Sequence, residues 1–278
     1  MALQIEDAIP ASKKSKKTKK STKSLSTIRL HFILDESGSM DECRQSTIDG
    51  FNEYINGLRK DTNKYYVSLT KFEGGNIKTV FGDVNLKNVR NITNDDFIPD
   101  GMTNLNDAIG ETITKMQNSN IKTPHSTLIV ILTDGKENDS RKWTRDGVAE
   151  LIKITEKDGW TVTFLGANID TQAVSRGYAI SADNARSYTT KGMRNTMRNL
   201  SEATVMYAAS ASRGISTMDM FSAENTGMSE ADWMEEDAAS IDKLAATIDS
   251  NGHNIDGSLK PELKDIIIGA NQGDTKNV

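Results

Sequence analysis

Thr27-Ile28-Arg29-Leu30-His31-Phe32-Ile33-Leu34-Asp35-Glu36-Ser37-Gly38-Ser39 is the stretch on which the fold turns. Its first eight residues read as a β-strand, and the oxygen-bearing side chains of Asp35, Ser37 and Ser39 stand at i, i+2 and i+4 where that strand ends. Oxygens so clustered suit a hard divalent cation. Mg²⁺ takes roughly six oxygens at about 2.0–2.1 Å, and carboxylates and hydroxyls both serve it.

Outward from this strand the hydrophobic pattern alternates between strand and helix periods. Ile48, Phe51, Ile55 and Leu58 recur at helical spacing over about twenty residues. Tyr65 to Phe72 and Ile77 to Phe81 read as two strands joined by the Gly74-Gly75 turn, an antiparallel hairpin. A loop ending near Pro99-Asp100-Gly101 leads to a helix with Leu105, Ile109, Thr112, Ile113 and Met116 on one face. Ser126 to Thr133 holds a continuous run, Leu128-Ile129-Val130-Ile131-Leu132, as expected of a central parallel strand covered on both faces. A helix from about Arg141 to Lys157, a strand Trp160 to Leu165, a short helix Thr171 to Gly177 and an edge strand Arg186 to Thr189 follow. The last long helix starts near Met193, with Met197, Leu200, Thr204, Tyr207 and Ala211 on its inward row.

This order predicts an α/β fold, a doubly wound and mostly parallel sheet with one antiparallel strand near an edge. Ligands of such sheets bind beyond the carboxyl ends of the strands, where the connections diverge to opposite faces. Asp35 and Asp134 each end a strand, so neighbouring strands would deliver both carboxylates to one crevice. Two further loops belong at that sheet edge: Gly101-Met102-Thr103-Asn104-Leu105, with a hydroxyl at the mouth of a helix, and Leu132-Thr133-Asp134-Gly135. Each residue also has a plainer reading. Asp35 and Ser37 suit helix caps, Thr103 suits the N-cap of its own helix, and Asp134 before Gly135 suits a turn.

Asp35, Ser37, Ser39, Thr103 and Asp134 together resemble the von Willebrand factor type A domain with its metal-ion-dependent adhesion site. The family pattern is Asp-x-Ser-x-Ser after the first strand, a Thr in a later loop and an Asp after the central strand, and the resemblance covers about residues 27 to 214. It implies that Ser37, Ser39 and Thr103 are hydroxyl ligands of Mg²⁺ or Mn²⁺, that Asp35 orients and balances charge, and that Asp134 acts through water. It also implies an open coordination position that takes a carboxylate from a protein partner. Asp49 to Tyr54, Leu105 to Gly110 and Gly159 to Asn168 further resemble a bacterial and bacteriophage branch of the family.

The 278 residues, 36% of them hydrophobic, suit one sizeable domain with polar flanks. Residues 1–26 are expected to form a disordered Lys-rich tail, and 215–278 an acidic, partly helical extension in which Trp233, Ile241, Leu244 and Ile248 share a helix face and Pro261 opens a shorter helix. The Lys run lacks Arg and interleaved aromatics, so nucleic-acid binding through it is the secondary expectation. The one cysteine, Cys43, forms no internal disulfide and reads as a buried, passive thiol. The start of the chain does not resemble a secretory signal, and the longest apolar run is too short for a bilayer. A cytoplasmic protein without a membrane partner is expected, in host cytoplasm or virion if phage-borne.

Catalysis finds little support. There is no Gly-x-x-x-x-Gly-Lys-Ser/Thr loop and no Gly-x-Ser-x-Gly elbow, and His31, His125 and His253 form no motif with either serine. Ser37 stands where an aspartyl phosphatase would need a second Asp. Asp249 to Glu262 departs from a calcium loop at Asn254 and Lys260.

Overall fold

The computed structural model describes residues 26–119, 125–189, 192–214 and 219–221. Strands β1 (Thr27–Asp35), β2 (Lys64–Glu73), β3 (Asn76–Asn85), β4 (Ser126–Thr133), β5 (Thr161–Ala167) and β6 (Ala185–Tyr188) form one sheet in the order β3-β2-β1-β4-β5-β6. Every pairing is parallel except β2 with the edge strand β3. That hairpin turns through Gly74 and Gly75 at φ of 45° and 84°, backbone that side-chain-bearing residues rarely adopt. The doubly wound sheet expected from the sequence is therefore the one observed.

Two layers of helices cover it: α1 (Arg44–Leu58) and α5 (Met193–Ala211) on one face, α2 (Leu105–Gln117), α3 (Arg145–Lys157) and α4 (Thr171–Gly177) on the other. The β4 run splits between them by its period of two. Leu128, Val130 and Leu132 enter the first core, while Ile129 and Ile131 enter the second. Phe32 anchors the first core, edge-on to Phe51 at 5.2 Å and to Tyr54 at 4.9 Å. Gly57 lets α1 approach α5 closely, since a β carbon there would meet Ser201 Oγ at 2.5 Å.

Element limits differ from the sequence reading in two places that matter. The segment after Ser37 first makes a 3₁₀ turn, Gly38–Cys43, before α1 begins. The helix after β4 starts at Arg145 rather than near Arg141, because the Asp107 carboxylate takes the backbone N–H groups of Arg141, Lys142 and Trp143 at 2.8, 2.9 and 2.7 Å and holds them out of the helix. Cys43 is buried, and burial pushes its thiol up to about 11.

After α5 the described chain resumes at the beginning of β6, the end of that strand away from the Asp35 crevice. Met220 N–H donates to Asn184 Oδ1 and Phe221 N–H to Asp183 O, both at 2.8 Å. Both side chains are fully buried, and the Arg186 guanidinium lies 5.2 Å from the Phe221 ring while donating to its carbonyl. The expected Lys-rich tail and the helices around Trp233 to Ile248 and after Pro261 lie outside the described residues.

Candidate functional site

β1 and β4 are neighbours, so Asp35 and Asp134 emerge side by side at their carboxyl ends. From there α1 returns over one face and α3 over the other, which makes this the point where the winding reverses. Asp35 is fully buried. Its Oδ1 accepts the Ser37 N–H at 2.8 Å and its Oδ2 accepts the Thr133 hydroxyl at 2.5 Å. Ser39 Oγ donates to Asp134 Oδ1 at 2.6 Å, so in the 3.2 Å contact between the two serine hydroxyls Ser37 is the donor.

Gly135 shows how close the remaining group comes. A β carbon built there would sit 2.9 Å from Thr103 Oγ1, 3.5 Å from Ser39 Oγ and 3.6 Å from Asp35 Oδ2. Thr103, Ser39 and Asp35 thus converge on the space beside Gly135, and Ser37 and Asp134 join them through their contacts with the Ser39 hydroxyl. Together the five supply two carboxylates and three hydroxyls, a donor set of hard oxygens that fits a hard divalent cation. Among the described residues no group of three or more His, Cys, Asp or Glu is placed to hold a metal, here or elsewhere, so the cluster relies on hydroxyls beside its two carboxylates.

The plainer readings fare unevenly. Asp35 does brace a turn through Ser37 N–H, but Ser37 makes no side-chain cap at the start of the 3₁₀ turn. Thr103 is not the N-cap of α2; Asn104 is, without a side-chain cap bond. The start of that helix is capped from another segment, with Asn106 N–H on Glu137 Oε2 at 2.7 Å and Asp107 N–H on Ser140 Oγ at 2.9 Å. Thr103 is fixed by its backbone instead, donating to Asn138 Oδ1 at 2.8 Å and accepting from the N–H groups of Asn138 and Asp139 at 3.0 and 3.2 Å. Its hydroxyl is left free to face the cluster.

Thr133 is the contributor that sequence reasoning passed over. Its hydroxyl reaches Asp35 Oδ2 and accepts the Gly135 N–H at 3.1 Å, tying the two loops together. The only signal was its place before Asp134, where a buried strand end would otherwise carry an apolar residue.

The flanking acids expected to surround the site with negative charge are mostly committed to structure. Glu36 is buried and paired with Lys71 Nζ at 2.6 Å, and it also takes the Ile98 N–H at 2.6 Å. Glu137 caps α2, and Asp139 lies 3.3 Å from the Arg141 guanidinium. Asp41 and Glu42 are exposed at the rim. Burial raises the Asp35 carboxyl to about 6, against hydrogen bonds from Thr133 and Ser37 that lower it, with Asp134 adding repulsion. Burial also raises Asp134, opposed by the Ser39 hydroxyl and reinforced by Glu42.

Comparisons with known proteins bear on the fold. No curated protein matches the chain. The pilus adhesin SpaC from Lactobacillus rhamnosus GG, in its open conformation, is similar at 12% identity and a TM-score of 0.55 over 66% of this chain and 30% of that one. A von Willebrand factor type A structure from Catenulispora acidiphila matches at 14% identity and a TM-score of 0.48, over 66% and 43% of the two chains. Proximal thread matrix protein 1 from the mussel byssus, with zinc occupied MIDAS motif, matches at 13% and 0.46 over 64% and 46%. The chain spans less than half the length of each of these structures. At such identities the likeness to SpaC is one of fold. The model of the von Willebrand factor type A domain matches residues 30–210, and the chain belongs to that family.

Proposed function

We propose that the domain is a metal-dependent protein-binding module, in which Ser37, Ser39 and Thr103 hold Mg²⁺, or Mn²⁺, by their hydroxyls while Asp35 and Asp134 balance its charge. The observation that carries this reading is the convergence of Thr103 Oγ1, Ser39 Oγ and Asp35 Oδ2 on the space that Gly135 leaves open. Bound there, the cation would supply an electrophilic acceptor for a partner's carboxylate. The chain's own residues set its strength: both Asp35 oxygens already accept protein hydrogen bonds, so the hydroxyls bear most of the direct contact and offset little of the positive charge.

Binding is favoured over catalysis by the same contacts. The serine hydroxyls bond to each other and to Asp134, with no histidine beside them. His31 is buried against Thr70 at 2.8 Å, and burial lowers it to about 4, so it is neutral and remote from the cluster. Among the described residues no helix is long and apolar enough to cross a membrane. The Lys-rich segment lies outside the described residues, and no structural observation favours a nucleic-acid role.

Isothermal titration of the full chain with Mg²⁺ and Mn²⁺ tests the metal. Thr103→Ala and Asp35→Ala should each abolish the binding heat while far-ultraviolet circular dichroism stays native. Capture of a peptide probe bearing one Asp in Mg²⁺ and its loss in chelator tests the partner. Capture that persists in chelator would make the metal incidental.

A further inference from the structure

Among the described residues four large hydrophobic side chains are exposed: Ile98, Met102, Ile154 and Met206, at 55, 50, 51 and 42%. Ile154 and Met206 stand singly on α3 and α5, which needs no explanation. Ile98 and Met102 belong to one loop, and Met102 immediately precedes Thr103. This loop is fastened to the Asp35–Ser39 segment along its length. Ile98 N–H donates to Glu36 Oε1, Asp100 N–H to Glu36 O at 2.9 Å, and Gly38 N–H to Gly101 O at 3.1 Å, while Met102 O accepts from Gly74 N–H at 2.7 Å. Two half-exposed apolar side chains thus sit on a loop whose backbone is tied to the Asp35–Ser39 segment and which runs into Thr103.

Charge around the cluster is lopsided. Asp41, Glu42 and Asp100 are exposed, and Glu73 Oε2 would lie 2.6 Å from a β carbon at Gly101. In the segments 36–43, 98–103 and 134–140 the single basic residue is Lys136. Such a rim repels a run of acids, so it selects a lone carboxylate that reaches the centre of the site.

We propose that the partner presents one carboxylate side chain next to a bulky apolar residue, with no second acid close by, and that Ile98 and Met102 receive the apolar residue. This inference rests on the metal-binding reading and adds to it the chemistry on either side of the carboxylate. The chain's own acidic stretch Glu230-Ala231-Asp232-Trp233-Met234-Glu235-Glu236-Asp237 places an apolar pair beside its acids but carries five of them, so it is the poorer occupant.

The test is fluorescence anisotropy with the full chain in saturating Mg²⁺, using labelled peptides Gly-Ser-Asp-Leu-Ser-Gly, Gly-Ser-Asp-Ala-Ser-Gly, Gly-Ser-Asn-Leu-Ser-Gly and Gly-Glu-Asp-Leu-Glu-Gly, with a peptide of residues 230–237 as a fifth. The Asp-Leu peptide should bind about tenfold tighter than Asp-Ala, the factor expected for covering much of a leucine side chain. Flanking glutamates should weaken it about threefold at low salt, a loss that shrinks at high salt and on Asp41→Asn with Glu42→Gln. Ile98→Ser with Met102→Ser should erase the Leu-over-Ala preference while leaving the Mg²⁺ titration unchanged; both side chains are exposed, so the fold is retained. Equal affinity for Asp-Leu and Asp-Ala, or tightest binding of the 230–237 peptide, would overturn this inference alone. No peptide binding despite a normal Mg²⁺ titration would overturn it together with the carboxylate-capture reading. Absence of Mg²⁺ binding, or equal binding in chelator, would overturn the reading beneath it.

Discussion

Replacing Gly135 by alanine probes the oxygen cluster without deleting any of its members. Gly135 is not among the residues with positive φ, so alanine is acceptable to the backbone, and by restricting the unfolded chain it would add up to about 1 kcal/mol of stability. Its methyl would stand 2.9 Å from Thr103 Oγ1, where ordinary contact begins near 3.4 Å. The hydroxyl must move by roughly half an ångström, more than the ~0.2 Å tolerance of a metal–oxygen bond. At Mg²⁺ one hundred times its dissociation constant, the wild-type chain should gain about 2.7 kcal/mol, or about 5–10 °C of Tm for a domain of this size. At least tenfold weaker binding is expected of Gly135→Ala, which at the same Mg²⁺ concentration leaves about half of that shift. Differential scanning fluorimetry across a Mg²⁺ series, with calorimetric titration beside it, reads both quantities. An unchanged dissociation constant in a folded Gly135→Ala protein would show that the space between Thr103, Ser39 and Asp35 is not where the cation sits.

Further outcomes follow from the buried charges and the core. The Asp35 carboxyl has a folded value of about 6 against an ordinary 3.8, so the metal-free fold binds the extra proton between these limits. Its stability should therefore fall by about 3 kcal/mol as pH rises from 4 through 6, seen in urea melts in chelator, and Mg²⁺ stabilisation should fade below pH 6 as proton and metal compete. Asp35→Asn should flatten the first profile; an unaltered slope would assign it to another group. Lys71→Met leaves Glu36 buried without its cation and should cost about 3–5 kcal/mol in urea unfolding, and a loss under 1 kcal/mol would mean the pair is solvated. Phe221→Ala empties a fully buried site and should cost about 3–5 kcal/mol; a negligible change would mean that residues 219–221 do not hold to the β6 edge in solution.

Much of the fold was legible because the hydrophobic period records burial. The unbroken run Leu128 to Leu132 signals two covered faces, and α5 presents Met193, Met197, Leu200, Thr204 and Tyr207 inward as its spacing indicates. Element starts were less legible where a distant side chain overrides local preference. Asp107 delays α3, and Glu137 with Ser140 caps α2 from 30 or so residues away in the chain. Periodicity carries no trace of such contacts.

For the candidate site, the sequence by itself determined which oxygens stand at strand and helix ends: Asp35, Ser37, Ser39, Thr103 and Asp134. These follow from local pattern, since a strand that stops and a glycine that turns are written in neighbouring residues. Only the tertiary structure decided that the five meet, because the parallel pairing of β1 with β4 joins segments some hundred residues apart. It also decided what the neighbouring groups do: Thr133 braces Asp35, Glu36 turns inward to Lys71, Gly135 leaves the space open, and Ile98 and Met102 remain in water. The physical reason is that a side chain's charge and hydrogen-bonding capacity are local properties, whereas its partners and its exposure belong to the packing of the whole domain.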